Sequence, residues 1–396
     1  MIARSYPNNV FETLGLWTER PARELVRFVD VQVISPVPYC PPLPRHGRLA
    51  QYARFRDVAR YEDRGGIKVH RPRFLTGPGS SLQCVEHRSY SGAVARAAAA
   101  VRREFAFDLI HAHFVYPDAV AAWRLSRRYR VPFLITDQAP WHPWLERPCV
   151  RKWALRAARD ATHLTAVSGY LRDTIIRYLG AGARVHVIPN GVDEDEFFPS
   201  PPSERAADQI LFVGFVNFNK GIDVLLEAML EIRQRRPSAR LLLAGGSFYR
   251  NTRLEEGRLR QLAVDLGVSD SVEFLGRRAP DEVARLMRQS AVVVLPSRAE
   301  TFGAVLVEAL ASGTPVVATR SGGPDDIVSN GVGHLVPVED SAALAASIVD
   351  VLEHPERYDA DELRSYALER FRWSAVAGEF AALYRDAVEQ HQATKV

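Results

Sequence analysis

The amino-acid sequence predicts an α/β protein built from two Rossmann-like, doubly wound parallel-sheet domains. The chain has 396 residues, which is more than one ordinary hydrophobic core holds. Short β-branched runs alternate with helical segments, which is the order of parallel βαβ units. The same alternation starts again after a linker near residue 190. We therefore expect two sheets that face each other across a cleft, because open α/β sheets bind ligands at the carboxyl ends of their strands.

Six short apolar runs in the first half predict buried parallel strands. Helical segments separate several of them, and Pro117 is placed to open the helix "PDAVAAWRLSRRY". The segment "SPVPYCPPLP" at 35–44 is predicted to be a loop, since proline cannot join the interior of a sheet. The predicted strands are residues 29–35, 67–71, 107–113, 131–136, 162–168 and 184–189.

The segment "IPNGVDEDEFFPSPPSERAAD" marks the predicted boundary between the domains. It combines an Asn-Gly turn signal, an acidic run and several prolines, which is the composition of an exposed linker. We place an N-terminal domain at 1–190 and a C-terminal domain at 191–374. The last helix, at about 375–396, is predicted to pack back onto the N-terminal domain.

The second half repeats the alternation of strands and helices, which predicts a second doubly wound domain. Its strands are predicted in "QILFVGF", "RLLLAGG", "SVEFLG", "AVVVLPS", "TPVVAT" and "GHLVPV". Helices are predicted in "GIDVLLEAMLEIRQRRP", from about residue 252, in "PDEVARLMRQS" and in "GAVLVEALASG". Two further helices are predicted to close the chain.

Composition limits the class of protein. No apolar stretch reaches the roughly 18 residues of a membrane span, and the start "MIARSYPNNV" lacks the pattern of a signal peptide. Cys40, Cys84 and Cys149 are widely scattered, so neither a disulfide framework nor a metal site is expected. The reducing cytoplasm is therefore the predicted location.

The net charge is distributed unevenly along the chain. Residues 1–200 contain 29 Lys and Arg against 19 Asp and Glu, a net charge of +10, whereas the remainder carries 22 against 28, or −6. A basic N-terminal domain favours an anionic partner, such as a phospholipid surface at the inner face of the cell membrane or a phosphorylated acceptor. A solvated, arginine-rich surface explains the same count. Nucleic acid is not expected, because the arginines are not gathered in one stripe with aromatic residues between them.

The stretch "ETFGAVLVEALASGTPVVATRSGG" places two carboxylates around a predicted helix N-terminus. The amides of Phe302, Gly303 and Ala304 would point outward at the positive end of the helix dipole, which suits a phosphate group. Glu308 lies one turn further on the face of Ala304, where a carboxylate accepts hydrogen bonds from a ribose diol. Glu300 lies outside the turn, where it would meet a group beyond the phosphates. Two solvated glutamates eight residues apart also occur by chance, so the surrounding motifs decide the interpretation.

Those motifs resemble the retaining glycosyltransferases of the GT-B fold, and family 4 in particular, which includes many bacterial cell-envelope and exopolysaccharide enzymes. The resemblance rests on "VIPNGVD", "LFVGFVNFNKGIDVLLEA", "VEFLGR" and the E-x7-E element followed by "GTPVVAT". It runs from "SYPNNVFETLGLW" through "IHAHFVYPDAVAA" to "RFRWSAVAGEFAALY". It implies transfer of a sugar from a nucleotide-sugar donor with retention and with no metal cofactor. In such enzymes the glutamate at the position of Glu300 meets the donor sugar, and that at Glu308 meets the ribose.

The resemblance also assigns residues in the donor domain. Lys220 in "NKG" would neutralise the donor diphosphate, beside Gly214 at the end of the preceding strand. The family commonly has an arginine after that glycine, and Phe215 stands there, so one expected phosphate cation is missing. Arg277 or Arg278 is a further candidate for contact with the base or the phosphates. No carboxylate pair has metal-ligand spacing at a strand end, so Lys220 and amide dipoles are expected to stabilise the leaving diphosphate.

In the N-terminal domain, a family histidine that contacts the donor sugar corresponds to Gln138. Glutamine can hydrogen-bond sugar hydroxyls but cannot carry protons. His142 is close enough in sequence to be a substitute, and we also assign it to the acceptor side. His111 and His113 end the "FDLIHAH" strand at the same sheet edge, and we interpret them as structural or acceptor-side residues.

The loop "SYPNN" replaces the glycine-rich first loop of many relatives, and we assign Asn8 and Asn9 to the acceptor side. The chain begins so close to this loop that the first strand is expected to be cut short.

The predicted function is sugar transfer onto a lipid-linked saccharide acceptor, in the synthesis of an envelope or exported polysaccharide. The acceptor hydroxyl would attack from the leaving-group face, and the departing phosphate would take its proton. One alternative is a transferase that acts on a small soluble acceptor. Another is a catalytically weakened nucleotide-sugar-binding partner protein, which Phe215 and Gln138 would suit. A GT-B phosphorylase is disfavoured, because the chain is short and lacks a cofactor-lysine motif.

Overall fold

The computed structural model describes residues 1–42, 50–77, 81–141, 144–246 and 251–394. Its contacts divide the chain into two compact units. Unit 1 comprises Met1–Pro189 and Trp373–Val396, and unit 2 comprises Asn190–Arg372. Each unit contains a central sheet flanked by helices, so the predicted class of two doubly wound α/β domains is confirmed.

The strands of unit 1 are β1 (Ile2–Ala3), β2 (Gln32–Ile34), β3 (Val37–Pro38), β4 (Tyr61–Arg64), β5 (Ile67–His70), β6 (Arg73–Phe74), β7 (Ile110–His113), β8 (Phe133–Asp137), β9 (His163–Ala166) and β10 (His186–Val187). Eight of them form one sheet in the order β10-β9-β8-β7-β1-β2-β5-β4, and β3 pairs with β6. Every pairing in the large sheet is parallel except β4 with β5. All residues of β7, β8 and β9 are buried, as expected for central strands covered on both faces.

The first helices of unit 1 connect these strands. They are α1 (Leu16–Leu25), α2 (Ala50–Ala53), α3 (Gln83–Val101), α4 (Asp118–Tyr129), α5 (Pro148–Asp160) and α6 (Gly169–Leu179). Pro117 is the N-cap residue of α4, as the sequence predicted. The Ser168 hydroxyl accepts a hydrogen bond from the Leu171 amide at 3.1 Å and so caps α6.

Unit 2 has the strands β11 (Ala206–Val213), β12 (Arg240–Ala244), β13 (Val272–Gly276), β14 (Ser290–Leu295), β15 (Val316–Thr319) and β16 (Gly333–Val336). Its helices are α7 (Ile222–Arg235), α8 (Asn251–Asp265), α9 (Pro280–Gln289), α10 (Ala304–Ala311), α11 (Pro324–Ile327), α12 (Ser341–Glu353) and α13 (Ala360–Phe371). The sheet order is β13-β12-β11-β14-β15-β16, and all neighbours are parallel. The direction of winding reverses between β11 and β14, which is where doubly wound sheets bind ligands.

The last helix, α14 (Trp373–Ala393), belongs to unit 1. Its Trp373, Phe380 and Tyr384 are buried in one apolar cluster with Leu134 and Ile188 of that unit. The burial explains why a sequence-distant helix joins the first sheet rather than the unit it follows along the chain. Among the described residues, no helix combines the length and apolarity needed to cross a bilayer.

Several local predictions were wrong. The loop predicted at 35–44 contains β3. The Val37 amide donates to the carbonyl oxygen of Pro72, directly before β6, and the Tyr39 amide donates to that of Phe74 in β6. Pro38 lies between these two donors, where the strand pairing needs no N–H. The hairpin of β4 and β5 was missed although Gly65 and Gly66, both with positive φ, form its two-residue turn.

Two further predictions about the ends of the units need correction. The strand predicted as buried at 184–189 is the short edge strand β10, and both of its residues are exposed because only β9 pairs with it. Within the part of the chain that the structure describes, the three helices α12, α13 and α14 follow the last strand instead of the predicted two.

The cysteine prediction was also wrong, since Cys84 and Cys149 form a disulfide with their Cα atoms 5.3 Å apart. Cys84 lies in the first turn of α3 and Cys149 in the first turn of α5. The two residues are 65 positions apart in sequence, and only the packing of these helices beside each other brings them together. Cys40 is a free thiol.

Candidate functional site

The loops that follow β11 and β14 meet in an ion pair. Lys220 lies in the turn before α7, and its Nζ donates to Oε2 of Glu300 at 2.5 Å. The two residues are 80 positions apart, and they meet because β11 and β14 are neighbours in the sheet. Both side chains retain access to solvent, with 19% and 14% of their surface exposed. The pair therefore lies at the reversal point of the sheet, within reach of a ligand.

The backbone of Glu300 is fixed on both sides. Its N–H donates to the Ser321 carbonyl oxygen at 3.0 Å, and its own carbonyl accepts from Gly323 at 2.8 Å. The other carboxylate oxygen of Glu300 accepts from the Thr301 amide at 3.1 Å. The carboxylate is thus held between Lys220 and the start of the loop that leads into α10.

Helix α10 begins as the sequence predicted. Gly303 is its N-cap residue with φ of 101°, a left-handed conformation that L side chains disfavour, so glycine is required at this point. Phe302 is buried beneath the turn, whereas Ala304 is exposed and Glu308, one turn on, is half-buried. The first amides of a helix have no intrahelical acceptor, so the exposed start of α10 can receive an anion.

The remaining candidates of unit 2 lie at the same sheet edge. Gly214 follows β11 and donates to the Ala244 carbonyl oxygen at 3.1 Å. Phe215, at the position where an arginine was expected, is 50% exposed. Arg277 follows β13 and is exposed, as is Arg278. The described part of this edge thus presents an ammonium, two guanidiniums, two carboxylates, a helix N-terminus and an aromatic side chain, an arrangement suited to a phosphorylated, hydroxyl-rich ligand.

Gln138 lies in unit 1 directly after β8, and its loop is organised by Asp137. The Asp137 carboxylate accepts hydrogen bonds from the amides of Gln138 at 2.9 Å and Ala139 at 3.2 Å, and from the Trp141 indole. Burial raises the pKa of Asp137 to about 6 although these hydrogen bonds act against the shift. Asp137 was not among the residues predicted from the sequence, where the available signal was an acidic residue at the end of a buried strand.

The two histidines of β7 differ in their contacts. His111 is hydrogen-bonded at Nδ1 to the Tyr384 hydroxyl at 2.6 Å and at Nε2 to the Thr136 hydroxyl at 2.7 Å, which makes it part of the core. His113 is 1% exposed, and neither ring nitrogen has a hydrogen-bond partner among the described residues. Burial lowers the pKa of His113 to about 3, so its ring is neutral at pH 7.

The two asparagines of the first loop hold the loop itself. The side-chain oxygen of Asn8 accepts from the amides of Val10 and Phe11, both at 3.0 Å. Asn9 donates to the Asp57 carbonyl oxygen at 2.9 Å and accepts from the Ala59 amide at 3.0 Å. Both side chains therefore stabilise the conformation of the loop. His142 lies outside the described residues.

Arg298 was likewise absent from the residues predicted from the sequence. It lies two residues before Glu300 and forms an ion pair with Asp223 of α7. The available signal was a residue of opposite charge close in sequence to each member of the pair, Asp223 three residues after Lys220 and Arg298 two residues before Glu300. Within the described part of the chain, His, Cys, Asp and Glu side chains form no group of three or more that could hold a metal ion.

Comparison with known proteins relates both units to one group of enzymes. The family model described as Glycosyl transferases group 1 matches residues 193–369, and that described as Glycosyltransferase Family 4 matches residues 22–196. A D-inositol 3-phosphate glycosyltransferase of Frankia alni is 33% identical over 312 residues, which are 71% of this chain and 75% of that protein.

A second relative and a solved structure agree with this relation. The GDP-mannose-dependent alpha-(1-6)-phosphatidylinositol monomannoside mannosyltransferase of Mycolicibacterium smegmatis is 30% identical over 269 residues, 63% of this chain and 69% of that protein. The sucrose-phosphate synthase of Thermosynechococcus elongatus has a similar fold, with a TM-score of 0.76 at 22% identity over 94% of this chain and 92% of that chain.

Proposed function

The chain belongs to the family 4, group 1 glycosyltransferases of the GT-B fold, and we propose that it transfers a sugar from a nucleotide-sugar donor to a phosphorylated or lipid-linked acceptor with retention of configuration. The observation that carries the proposal is the contact of Lys220 with Glu300 beside the N-terminus of α10. A cation and exposed helix amides are the groups that bind a diphosphate, and a carboxylate beside them can bind sugar hydroxyls.

In the proposed reaction the bond between the anomeric carbon and the leaving phosphate oxygen breaks. The acceptor hydroxyl oxygen bonds to that carbon from the same face, and its proton passes to the departing phosphate. Lys220 and the first amides of α10 stabilise the charge on the leaving diphosphate. Glu300 binds the donor sugar, and Glu308 accepts hydrogen bonds from the ribose. No enzymic nucleophile and no metal cofactor takes part.

Gln138 has the supporting role in this proposal. Its loop is held by the Asp137 carboxylate, and its amide can hydrogen-bond a hydroxyl of the donor sugar. The proposed mechanism requires no proton transfer by Gln138, because the leaving phosphate accepts the proton. Replacement of a histidine by glutamine is therefore compatible with activity.

The acceptor class is proposed from two relatives and from the surface of unit 1. The relatives are named for an inositol phosphate and a phosphatidylinositol mannoside, which are a phosphorylated polyol and a lipid-linked saccharide. Helices α4 and α5 carry cations stacked on tryptophans, with Arg156 5.0 Å from the ring centre of Trp123 and Arg124 5.5 Å from that of Trp153. Such a surface suits the headgroups of an anionic bilayer and supports a peripheral location at the inner membrane face.

Vesicle sedimentation tests the membrane part of the proposal. Binding to vesicles that contain phosphatidylglycerol should exceed binding to phosphatidylcholine vesicles and should fall as salt rises, because screening shortens the range of the attraction. Equal binding to both vesicle types would mean that the basic surface does not mediate membrane binding.

A panel of UDP-, GDP- and ADP-sugars tests the transferase itself. The preferred donor should raise the unfolding temperature by mass action and should be turned over, by slow hydrolysis or by transfer to inositol phosphate and lipid-linked acceptors, with EDTA present. The exposed Phe215 favours one rival, a nucleotide-sugar-binding partner without catalysis. Binding of a donor without turnover in any acceptor would support that rival.

A further inference from the structure

Arg298 lies between β14 and α10, and its guanidinium joins three segments of unit 2. It donates to both carboxylate oxygens of Asp223 at 2.9 Å each, to the Phe218 carbonyl oxygen at 2.6 Å, and to both carboxylate oxygens of Glu339, with NH2 2.9 Å from Oε2. A guanidinium has five N–H donors, and these five contacts use all of them. The side chain is 14% exposed, so little of it is left to meet solvent or substrate.

The contacts of Arg298 hold the turn that carries Lys220. Its backbone N–H donates to the Asn219 carbonyl oxygen at 2.7 Å, and its guanidinium lies 4.0 Å from the ring centre of Phe218. Beneath the turn, Gly221 has φ of 62°, and a Cβ there would lie 2.0 Å from the carbonyl oxygen of Pro296. The turn and the loop of Arg298 are therefore in contact through backbone and side chain together.

The electrostatics of the cluster favour one arrangement. Burial alone would raise the pKa of Asp223, but the hydrogen bonds and the charge of Arg298 lower it. The hydrogen bonds that Arg298 donates to Asp223 and Glu339 raise the pKa of the guanidinium. Glu339 makes its contact from a φ of 61°, which is sparsely populated by residues other than glycine. A backbone conformation of that kind persists where the surrounding contacts hold it.

We propose that Arg298 is a positioning residue for glycosyl transfer, which fixes the Lys220 turn against the Glu300 loop so that ammonium and carboxylate stay in contact. The inference rests on the proposed function, since it concerns Lys220 and Glu300 as donor-site residues. Arg298 acts through them and not on the substrate, because its donors are used within the protein. Lysine cannot replace it, since one ammonium cannot span two carboxylates and a carbonyl.

The test compares Arg298 with an arginine at the other end of α7. Arg236, the C-cap residue of that helix, donates to Asp208 through Nε at 2.9 Å and NH2 at 2.6 Å. Arg298→Ala should lower kcat/KM at least about tenfold, whereas Arg236→Ala should stay within about threefold of wild type at a temperature where circular dichroism shows both variants folded. Arg298→Lys keeps a cation between the two carboxylates, which favours folding, and should recover less than half of the lost activity.

A double-mutant cycle separates positioning from a general structural role. If Arg298 acts through Lys220, then Arg298→Ala in a Lys220→Ala background should lower kcat/KM by less than about threefold. If the double variant instead loses kcat/KM by the product of the two single-variant losses, the inference is overturned. An Arg298→Ala or Arg298→Lys variant as active as Arg236→Ala would overturn it too. Wild-type activity of both Lys220→Ala and Glu300→Gln would instead remove the donor-site assignment, and this inference with it. Impaired Lys220→Ala beside unimpaired Arg298→Ala would remove this inference alone.

Discussion

Removal of either charge in the Lys220–Glu300 pair is the most direct test of the donor site. At an effective dielectric constant of about 20, unit charges at the observed 2.5 Å attract by roughly 7 kcal/mol before desolvation is counted. After desolvation is included, a hydrogen bond to a charged group contributes a net stabilisation of about 1.5–3 kcal/mol. A contact of Lys220 with the leaving diphosphate is of the same kind, so Lys220→Ala should lower kcat/KM about 10- to 150-fold.

Glu300→Gln should nearly abolish transfer while the fold stays intact. The amide has the size of the carboxylate and still offers hydrogen bonds to sugar hydroxyls. It no longer neutralises Lys220 and cannot stabilise positive charge at the anomeric carbon in the transition state. We therefore expect kcat to fall far more than the affinity for the donor.

The assay is transfer or slow donor hydrolysis with the donor that stabilises the wild type best. Asp270→Asn is the matched control, because Asp270 pairs with Arg233 in the same unit and is largely exposed. That variant should retain wild-type turnover, since exposed ion pairs contribute little. If Lys220→Ala and Glu300→Gln both turn over like the control, the assignment of the donor site is wrong.

Three further predictions concern Glu308 of α10, the disulfide and the dependence of stability on pH. Glu308→Ala should weaken donor binding about 5- to 150-fold by calorimetry through lost hydrogen bonds to a charged group, and unchanged affinity would refute a ribose contact. Cys84→Ser should lower the free energy of unfolding of oxidised protein by about 4 kcal/mol, as loop-closure entropy gives for a 65-residue separation. Reductant should have that effect on the wild type and none on Cys84→Ser, with Cys40→Ser as the control that behaves like wild type. Because the folded-state pKa of His113 is about 3, below its unfolded value, its contribution to stability is lost as pH falls below about 6.5. Between pH 7 and pH 5 the wild type should lose about 2 kcal/mol more than His113→Asn in urea unfolding, and equal losses would mean that His113 titrates normally.

Sequence patterns predicted those parts of the fold that depend on residues close together in the chain. The strand–helix alternation gave both sheets, and the turn at Gly303 gave the start of α10, because each follows from local periodicity or from the φ that one residue must adopt. The exposure of β10 could not be predicted in this way, since it depends on which strand lies at the edge of the sheet. The Cys84–Cys149 bond depends likewise on which helices are neighbours.

The candidate residues of unit 1 show a second limit of sequence patterns. A side chain at the carboxyl end of a strand is in the right place for a ligand, but the pattern does not say whether its polar atoms are already used. The ring of His111 is hydrogen-bonded to Tyr384, and the side-chain oxygen of Asn8 accepts hydrogen bonds from amides of the first loop. His113 has no such partner among the described residues, so its buried ring nitrogens are not committed to the core in the way those of His111 are.

In the proposed donor site, the order of the strands makes two loops neighbours, and individual side chains set the distances between them. Any sheet in the order β13-β12-β11-β14-β15-β16 brings the loops after β11 and β14 together, so a lysine and a glutamate 80 residues apart become neighbours. Topology alone places such loops only to within several ångströms, and misplacement by about 1 Å is costly in catalysis. In this chain the remaining distance is closed by the approach of Gly221 to Pro296 and by the five hydrogen bonds of Arg298. The proposed donor site of this chain therefore depends on residues outside the Lys220–Glu300 pair as well as on the order of the strands.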